Sequence, residues 1–225
     1  MPWPWVFSFS LGLLLQVLII HSMSRGPWRE FPSVFLYCIA MFFGTVASGA
    51  SFFPGKEITR SPLYYAGYYW ITDGILQVLV LGVVIGLVRR AAHSPQAGAF
   101  LSRVLGASAV VIALLSFLIY SGKGLNTRMT FVARNVGFLA VVANLVLWAF
   151  LIRRRHPDRT LLLLSGGLGV EMAGKAIGHS LRTLAPGLVD FGNLVIVLSY
   201  LFGLYVWWQA FRHWRPNPAA AAGVE

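Results

Sequence analysis

The chain of 225 residues is 57% hydrophobic, and only 11% of its residues are charged. Soluble domains carry about 25% charged residues, so this composition excludes an ordinary soluble domain and indicates an integral membrane protein. A net charge of +11 would suggest nucleic-acid binding in a soluble protein. No soluble domain remains here to carry that function, and we predict no nucleic-acid partner. The single cysteine, Cys38, excludes an intrachain disulfide and a cysteine-based metal cluster.

Seven apolar segments follow one another along the chain. At roughly 30 residues for each helix and its loop, the length accommodates seven membrane spans and leaves no large extramembrane domain. We therefore predict an all-α, seven-helix transmembrane bundle that forms a single domain over residues 1–215, with a disordered tail at 216–225. The predicted spans lie at about 5–23, 31–53, 63–88, 99–120, 129–152, 160–181 and 191–214.

The distribution of basic residues predicts the orientation of the chain, because cytoplasmic loops of membrane proteins are enriched in Lys and Arg. If the N-terminus lies outside, eleven basic residues fall on the cytoplasmic side, namely Arg25, Arg29, Arg89, Arg90, Arg103, Arg153, Arg154, Arg155, Arg159, Arg212 and Arg215. Five basic loop residues then fall outside, namely Lys56, Arg60, Lys123, Arg128 and Arg182. This contrast favours an N-terminus outside and a cytoplasmic C-terminus.

The sixth apolar segment carries three titratable residues inside a predicted span. Glu171, Lys175 and His179 follow one another at four-residue steps, so a helix places them on one face. Glu171 lies about 16 Å along the helix from the start of the segment, which is close to the middle of a bilayer. A charge at this depth costs at least about 2.5 kcal/mol unless it is paired or hydrated. Asp73 and Glu171 can neutralise Arg134 and Lys175, so we expect at least one direct ion pair among these four residues.

Polar residues of other spans fall at similar depths when the N-terminus is outside. Asp73 lies roughly 15 Å below the outer surface, and Arg134 lies roughly 6–9 Å below it. Lys175 falls in the outer third of the membrane, with His179 at its rim. The sequence therefore predicts a ligand-binding pocket or a buried polar network in the outer half of the bundle. Its members are Asp73, Arg134, Asn135, Glu171, Lys175 and His179.

Three roles for this group remain open at this point. The residues could only bind the helices to one another, they could form a ligand or ion site, or they could line a proton or ion path. The five histidines provide no pair at one depth for a haem and no set suited to a zinc hydrolase, so we predict no metal site. Retinal binding is disfavoured because span seven has no lysine.

Two segments carry a resemblance to known proteins. They are Trp28-Arg29-Glu30-Phe31-Pro32 and Tyr64-Tyr65-Ala66-Gly67-Tyr68-Tyr69-Trp70-Ile71-Thr72-Asp73. Both resemble a group of uncharacterised bacterial seven-transmembrane proteins, in which the acidic residue after the Tyr-rich stretch is more often Glu than Asp. The layout is also similar to the seven-span sensor region of histidine kinases. The resemblance implies the topology, and a sensor of this kind would need a partner to carry its signal.

These observations together predict a non-enzymatic, receptor-like or accessory protein of the bacterial cytoplasmic (inner) membrane. One alternative is a structural subunit of a larger membrane complex, and another is a small-solute or proton-coupled transporter. Catalytic residues and cofactors are not predicted, while a bound lipid or pigment remains open. The expected partners are membrane lipids, and other membrane or cytoplasmic signalling proteins remain open as well.

Overall fold

The structure is a computed structural model that describes residues 3–50, 62–92, 94–122, 124–153, 158–184 and 186–212. Within these residues the chain is all-α, as the sequence predicts, with seven α-helices and two single-turn 3-10 helices at Pro27–Arg29 and Pro186–Leu188. The α-helices are α1 (Trp3–Ser24), α2 (Pro32–Ala50), α3 (Pro62–Ala91), α4 (Pro95–Ile119), α5 (Leu125–Ile152), α6 (Arg159–Leu184) and α7 (Val189–Arg212).

Six of these helices contain stretches that are long and apolar enough to cross a membrane. They are Val6–Ser24, Gly74–Ala91, Pro95–Ile119, Phe131–Ile152, Arg159–Arg182 and Val189–Arg212. The prediction of a multi-pass membrane protein is therefore confirmed. The apolar part of α2 found among the described residues, Pro32–Ala47, is shorter. A seventh crossing and the orientation of the chain stay predictions, and the tail at 216–225 lies outside the described residues.

Local sequence signals explain where several helices begin. Proline is favoured in the first turn of a helix because its missing N–H has no intrahelical partner there, and α2 and α4 begin at Pro32 and Pro95. Ser94 caps α4, since its hydroxyl accepts a hydrogen bond of 3.1 Å from the backbone N–H of Ala97. Asp158 caps α6 in the same way, accepting from the N–H of Thr160 at 2.9 Å.

The chain divides into two compact units, which are described separately. The first unit comprises Met1–Phe35 and Leu147–Glu225, and the second comprises Leu36–Val146. In the first unit, α6 and α7 pack along their length, and Gly167 lies opposite Gly203 while Gly178 lies opposite Gly192. These pairs show that α6 and α7 are antiparallel.

Helix α1 also packs against α7 in the first unit. Gln16 is buried and donates a hydrogen bond of 2.5 Å from Nε2 to the phenol oxygen of Tyr200. Phe31, which follows α1, packs edge-on against Phe211 near the end of α7, with ring centroids 5.9 Å apart. The middle of α1 therefore lies beside the middle of α7, and the segment after α1 lies beside the end of α7, so the two helices run parallel.

In the second unit, α3 and α4 form a tight helical hairpin, and a hydrogen bond and a pair of stacked rings join α4 to α5. A Cβ on Gly98 would lie 2.8 Å from the backbone oxygen of Arg89, so this corner requires glycine. Between α4 and α5, Asn135 donates a hydrogen bond of 2.8 Å from Nδ2 to the hydroxyl of Ser116. Polar contacts of this kind are a common means of associating helices in membranes, where lipid removes the hydrophobic driving force.

Candidate functional site

One face of α6 consists of small residues that bring α7 unusually close. Gly167, Gly174 and Gly178 share this face, because steps of seven and four residues return to one side of a helix. A Cβ on Gly178 would lie 2.6 Å from the backbone oxygen of Gly192, and a Cβ on Gly174 would overlap the side chain of Ser199. Backbones of membrane helices approach this closely only where such small residues line the contact.

Trp207 fixes one end of this contact. Its indole N–H donates a hydrogen bond of 2.9 Å to the backbone oxygen of Leu164, and the residue is fully buried. The indole lies over Gly167, where an added Cβ would be 2.6 Å from Trp207 Cδ1. The missing side chain at Gly167 therefore leaves the space that the indole occupies.

This anchor predicts a measurable loss of stability for Trp207→Phe. The substitution removes the N–H and leaves the Leu164 oxygen without that donor, so we expect the free energy of unfolding to fall by about 1 kcal/mol. Equilibrium unfolding in SDS measures the change. Trp208→Phe, one residue further along, removes the same atoms from a half-buried indole and should cost clearly less. Equal losses for the two variants would contradict the anchoring role.

Glu171 lies on the same α6 face, between the glycines. It is 3% exposed, and a Cβ on Gly203 would lie 3.4 Å from the Cβ of Glu171. Lys175 donates a hydrogen bond of 2.6 Å from Nζ to Glu171 Oε1, which forms an ion pair within one helix. The predicted spacing of four residues thus brings these two side chains together.

The two members of the ion pair have very different environments. The Glu171 side chain is 4% exposed, whereas the Lys175 side chain is 45% exposed. Each step of four residues turns a helix by about 40°, so the series from Glu171 through Lys175 to His179 rotates away from α7. His179 is accordingly exposed. Glu171 is therefore a buried carboxylate, and its partner Lys175 lies toward the side of α6 that turns away from α7, which we call the open side of α6.

Further polar residues lie at the level of this ion pair. Ser199 faces Gly174, one turn from Glu171, and its hydroxyl donates to the backbone oxygen of Val195 at 2.7 Å. The hydrogen bond between Gln16 and Tyr200 lies one residue further along α7. Neither Gln16 nor Tyr200 is among the site residues predicted from the sequence. The available signal was Gln16, the one amide side chain in the first predicted span.

The remaining predicted site residues belong to the second unit. Arg134 is exposed, and its guanidinium carbon lies 5.3 Å from the ring centroid of Phe131 on the same helix. Asn135 is half-buried and makes the hydrogen bond to Ser116 described above. Asp73 belongs to α3, but its side chain lies outside the described residues. The participation of Asp73, Arg134 and Asn135 in a shared network therefore stays a prediction.

Comparison of this chain with protein-family models, with curated proteins and with solved structures finds no match in any of the three. The resemblance of the segments around Trp28 and Tyr64 to bacterial seven-transmembrane proteins stays a prediction. The function is therefore inferred from the geometry of the residues themselves.

Proposed function

We propose that this chain is a non-enzymatic, receptor-like or accessory membrane protein, and that the ion pair of Lys175 and Glu171 is its ligand-responsive element. In this proposal, Lys175 binds an anionic group of the ligand and Glu171 is the counter-charge in the resting state. The proposed location is the bacterial cytoplasmic membrane, with the N-terminus outside, so that the site opens toward the outer half of the bilayer.

The observation that carries the proposal is the unequal burial of the pair. The Lys175 side chain is 45% exposed, so an incoming anion can reach it, whereas the Glu171 side chain is 4% exposed and an incoming cation cannot. The ammonium contacts Glu171 Oε1 at 2.6 Å. An anionic group of the ligand is therefore expected to approach from the open side of α6.

The position of Glu171 supplies a way to couple binding to structure. A ligand that moves Lys175 away from Glu171 leaves the negative charge of Glu171 less well neutralised. That charge lies in a contact between helices that is poor in water. The contact has little spare volume, because Gly174 and Gly178 face Ser199 and Gly192 at distances that exclude a methyl group. Ligand binding is therefore expected to change the packing of α6 against α7. His179 lies further along the exposed side of α6 and belongs to the same proposal.

The structural-subunit alternative has its own supporting observation. Glu171 and Lys175 are four residues apart on one helix, so the pair compensates itself without a ligand or another helix. In that case the polar residues only associate helices, as Gln16 and Tyr200 do between α1 and α7. The chain should then lose its fold when it is produced without the other subunits of its complex.

The experiment that separates these functions is an anion screen on the purified full chain. Sodium acetate, benzoate, phosphate and methanesulfonate are added at constant ionic strength, and the midpoint of thermal unfolding in detergent is measured. The proposal predicts a saturable rise in the midpoint with at least one anion. Lys175→Met should abolish the rise, whereas Arg103→Gln should retain it, since Arg103 is an exposed cation on α4.

Other outcomes favour the alternatives. Equal midpoint shifts in the wild type and in Lys175→Met, or no shift with any anion, would contradict the receptor proposal. A chain that unfolds when produced alone would favour the subunit. Flux of an anion into proteoliposomes that is lost in Glu171→Gln would favour the transporter, because a receptor binds its ligand without moving it.

A further inference from the structure

Two arginines of the second unit lie over aromatic rings where α4 ends and α5 begins. Tyr120 and Phe131 are stacked with centroids 3.8 Å apart and planes within 2°. The guanidinium carbon of Arg134 lies 5.3 Å from the centroid of Phe131, and that of Arg128 lies 5.3 Å from the centroid of Phe117. We refer to these five residues as the arginine–aromatic cluster.

The cluster lies at the boundary of the apolar spans. The span in α4 ends at Ile119, one residue before Tyr120, and the span in α5 begins at Phe131. Arg134 is three residues inside the α5 span, which places it about 4.5 Å further along the helix axis. A long arginine side chain at this depth can keep its charge at the membrane surface while its methylenes contact acyl chains. The cluster is therefore at the level of lipid headgroups.

The contact with an aromatic ring prepares an arginine for phosphate. A guanidinium carries five N–H donors in one plane, and a cation–π contact with a ring does not use any of them. Phe131 itself is held by Tyr120, which fixes the ring under Arg134. Arginine in such a fixed orientation binds the oxygens of a phosphate in pairs, with little further ordering.

The α5 surface that continues from Arg134 into the apolar span is suited to contact with an acyl chain. Phe138 and Leu145 lie on the same face of α5 and are 69% and 53% exposed. Arg128 and Arg134 lie about 9 Å apart along the helix axis, on either side of Phe131 in the chain. Both are positively charged, so both attract an anion at this level, and an attached hydrocarbon chain would cover the exposed face.

We propose that the arginine–aromatic cluster is a binding site for the phosphate group of an anionic membrane lipid. Arg134 and Arg128 hold the phosphate, Phe131 and Tyr120 orient Arg134, and the α5 face at Phe138 contacts the acyl chain. This site uses residues other than Lys175 and Glu171, so it stands or falls independently of the receptor proposal.

The test measures lipid binding to the purified full chain in neutral detergent. Dioctanoyl phosphatidylglycerol, dioctanoyl phosphatidylcholine and inorganic phosphate are titrated separately, with the thermal midpoint and the lipid retained in native mass spectrometry as readouts. Phosphatidylglycerol should bind saturably, and its apparent affinity should fall about tenfold in Arg134→Gln, because a charge-assisted, bidentate contact is lost. Arg103→Gln, near the opposite end of α4, should leave the affinity unchanged.

Phe131→Leu provides a second variant, because it keeps both charges and removes the ring. It should weaken phosphatidylglycerol binding about threefold through loss of the orienting stack. Equal binding by wild type and Arg134→Gln, or equal losses in Arg134→Gln and Arg103→Gln, would overturn the proposal. Inorganic phosphate that binds as tightly as phosphatidylglycerol would show a soluble-anion site and would also overturn the lipid assignment.

Discussion

Gly174→Ala is expected to lower the free energy of unfolding by about 1–3 kcal/mol, although it adds a single methyl group. The new Cβ would overlap the Cβ and Oγ of Ser199, while the Cα of Ser199 would lie 3.6 Å away. Because the overlap includes Cβ, rotation of the serine side chain cannot relieve it, and α6 and α7 must move apart. Equilibrium unfolding of the full chain in SDS, followed by circular dichroism, measures the loss.

The second-site variants make this prediction specific. Ser199→Gly removes the overlapping atoms, so Gly174→Ala combined with Ser199→Gly should be more stable than the sum of the two single losses predicts. Ser199→Ala keeps the Cβ and should not rescue. Gly106→Ala is the control, because no atom in the described part of the chain lies within 4 Å of a Cβ there. Rescue by alanine as well as by glycine would contradict the proposed contact.

Lys175→Met is expected to destabilise the protein more than Glu171→Gln does. Removing one member of a buried ion pair costs about 3–5 kcal/mol, and the exposure of Lys175 reduces the expected loss to about 2–3 kcal/mol. The substitution leaves the Glu171 carboxylate in the glycine-lined contact with α7 without the ammonium 2.6 Å away. Glu171→Gln should cost only about 1 kcal/mol, because the amide oxygen still accepts a hydrogen bond from Lys175.

A double-mutant cycle in SDS unfolding measures this asymmetry. Glu171→Gln leaves no negative charge at position 171 for Lys175 to neutralise. Adding Lys175→Met should therefore change little, and the double variant should be about as stable as Glu171→Gln alone. The order of stability would then be wild type, Glu171→Gln and the double variant together, and Lys175→Met last. A loss in Lys175→Met equal to or smaller than that in Glu171→Gln would show that the buried carboxylate does not depend on the ammonium.

Much of the helical layout follows from the sequence, because the bilayer imposes long apolar segments. The predicted span at 160–181 corresponds to α6, Arg159–Leu184, and the span at 191–214 corresponds to α7, Val189–Arg212. The ion pair also follows, since Glu171 and Lys175 are separated by one helical turn. Both predictions depend on local rules that relate residues close in the chain.

These local rules do not predict which residues of different helices are in contact. The glycines at 166, 167, 174 and 178 lie close together in α6, and their order does not show that Gly167 faces Trp207 while Gly166 faces Trp148. The pairing of Gln16 with Tyr200 depends on which helices are neighbours, and hydropathy carries no information on lateral order. Sequence reasoning therefore located the charged residues but missed the small-residue contact that buries Glu171.

The measurement that tests the central claim most directly is a cryo-electron-microscopy structure of the purified full chain in lipid nanodiscs. The claim is that Lys175 presents its ammonium to a ligand while Glu171 retains its counter-charge in the contact with α7. The account predicts non-protein density within hydrogen-bond distance of Lys175 Nζ, on the side away from Glu171. The opposite result would be a Lys175 that contacts only protein groups and forms a closed, dry pair with Glu171. That result would contradict the claim and leave both residues a role in helix packing only.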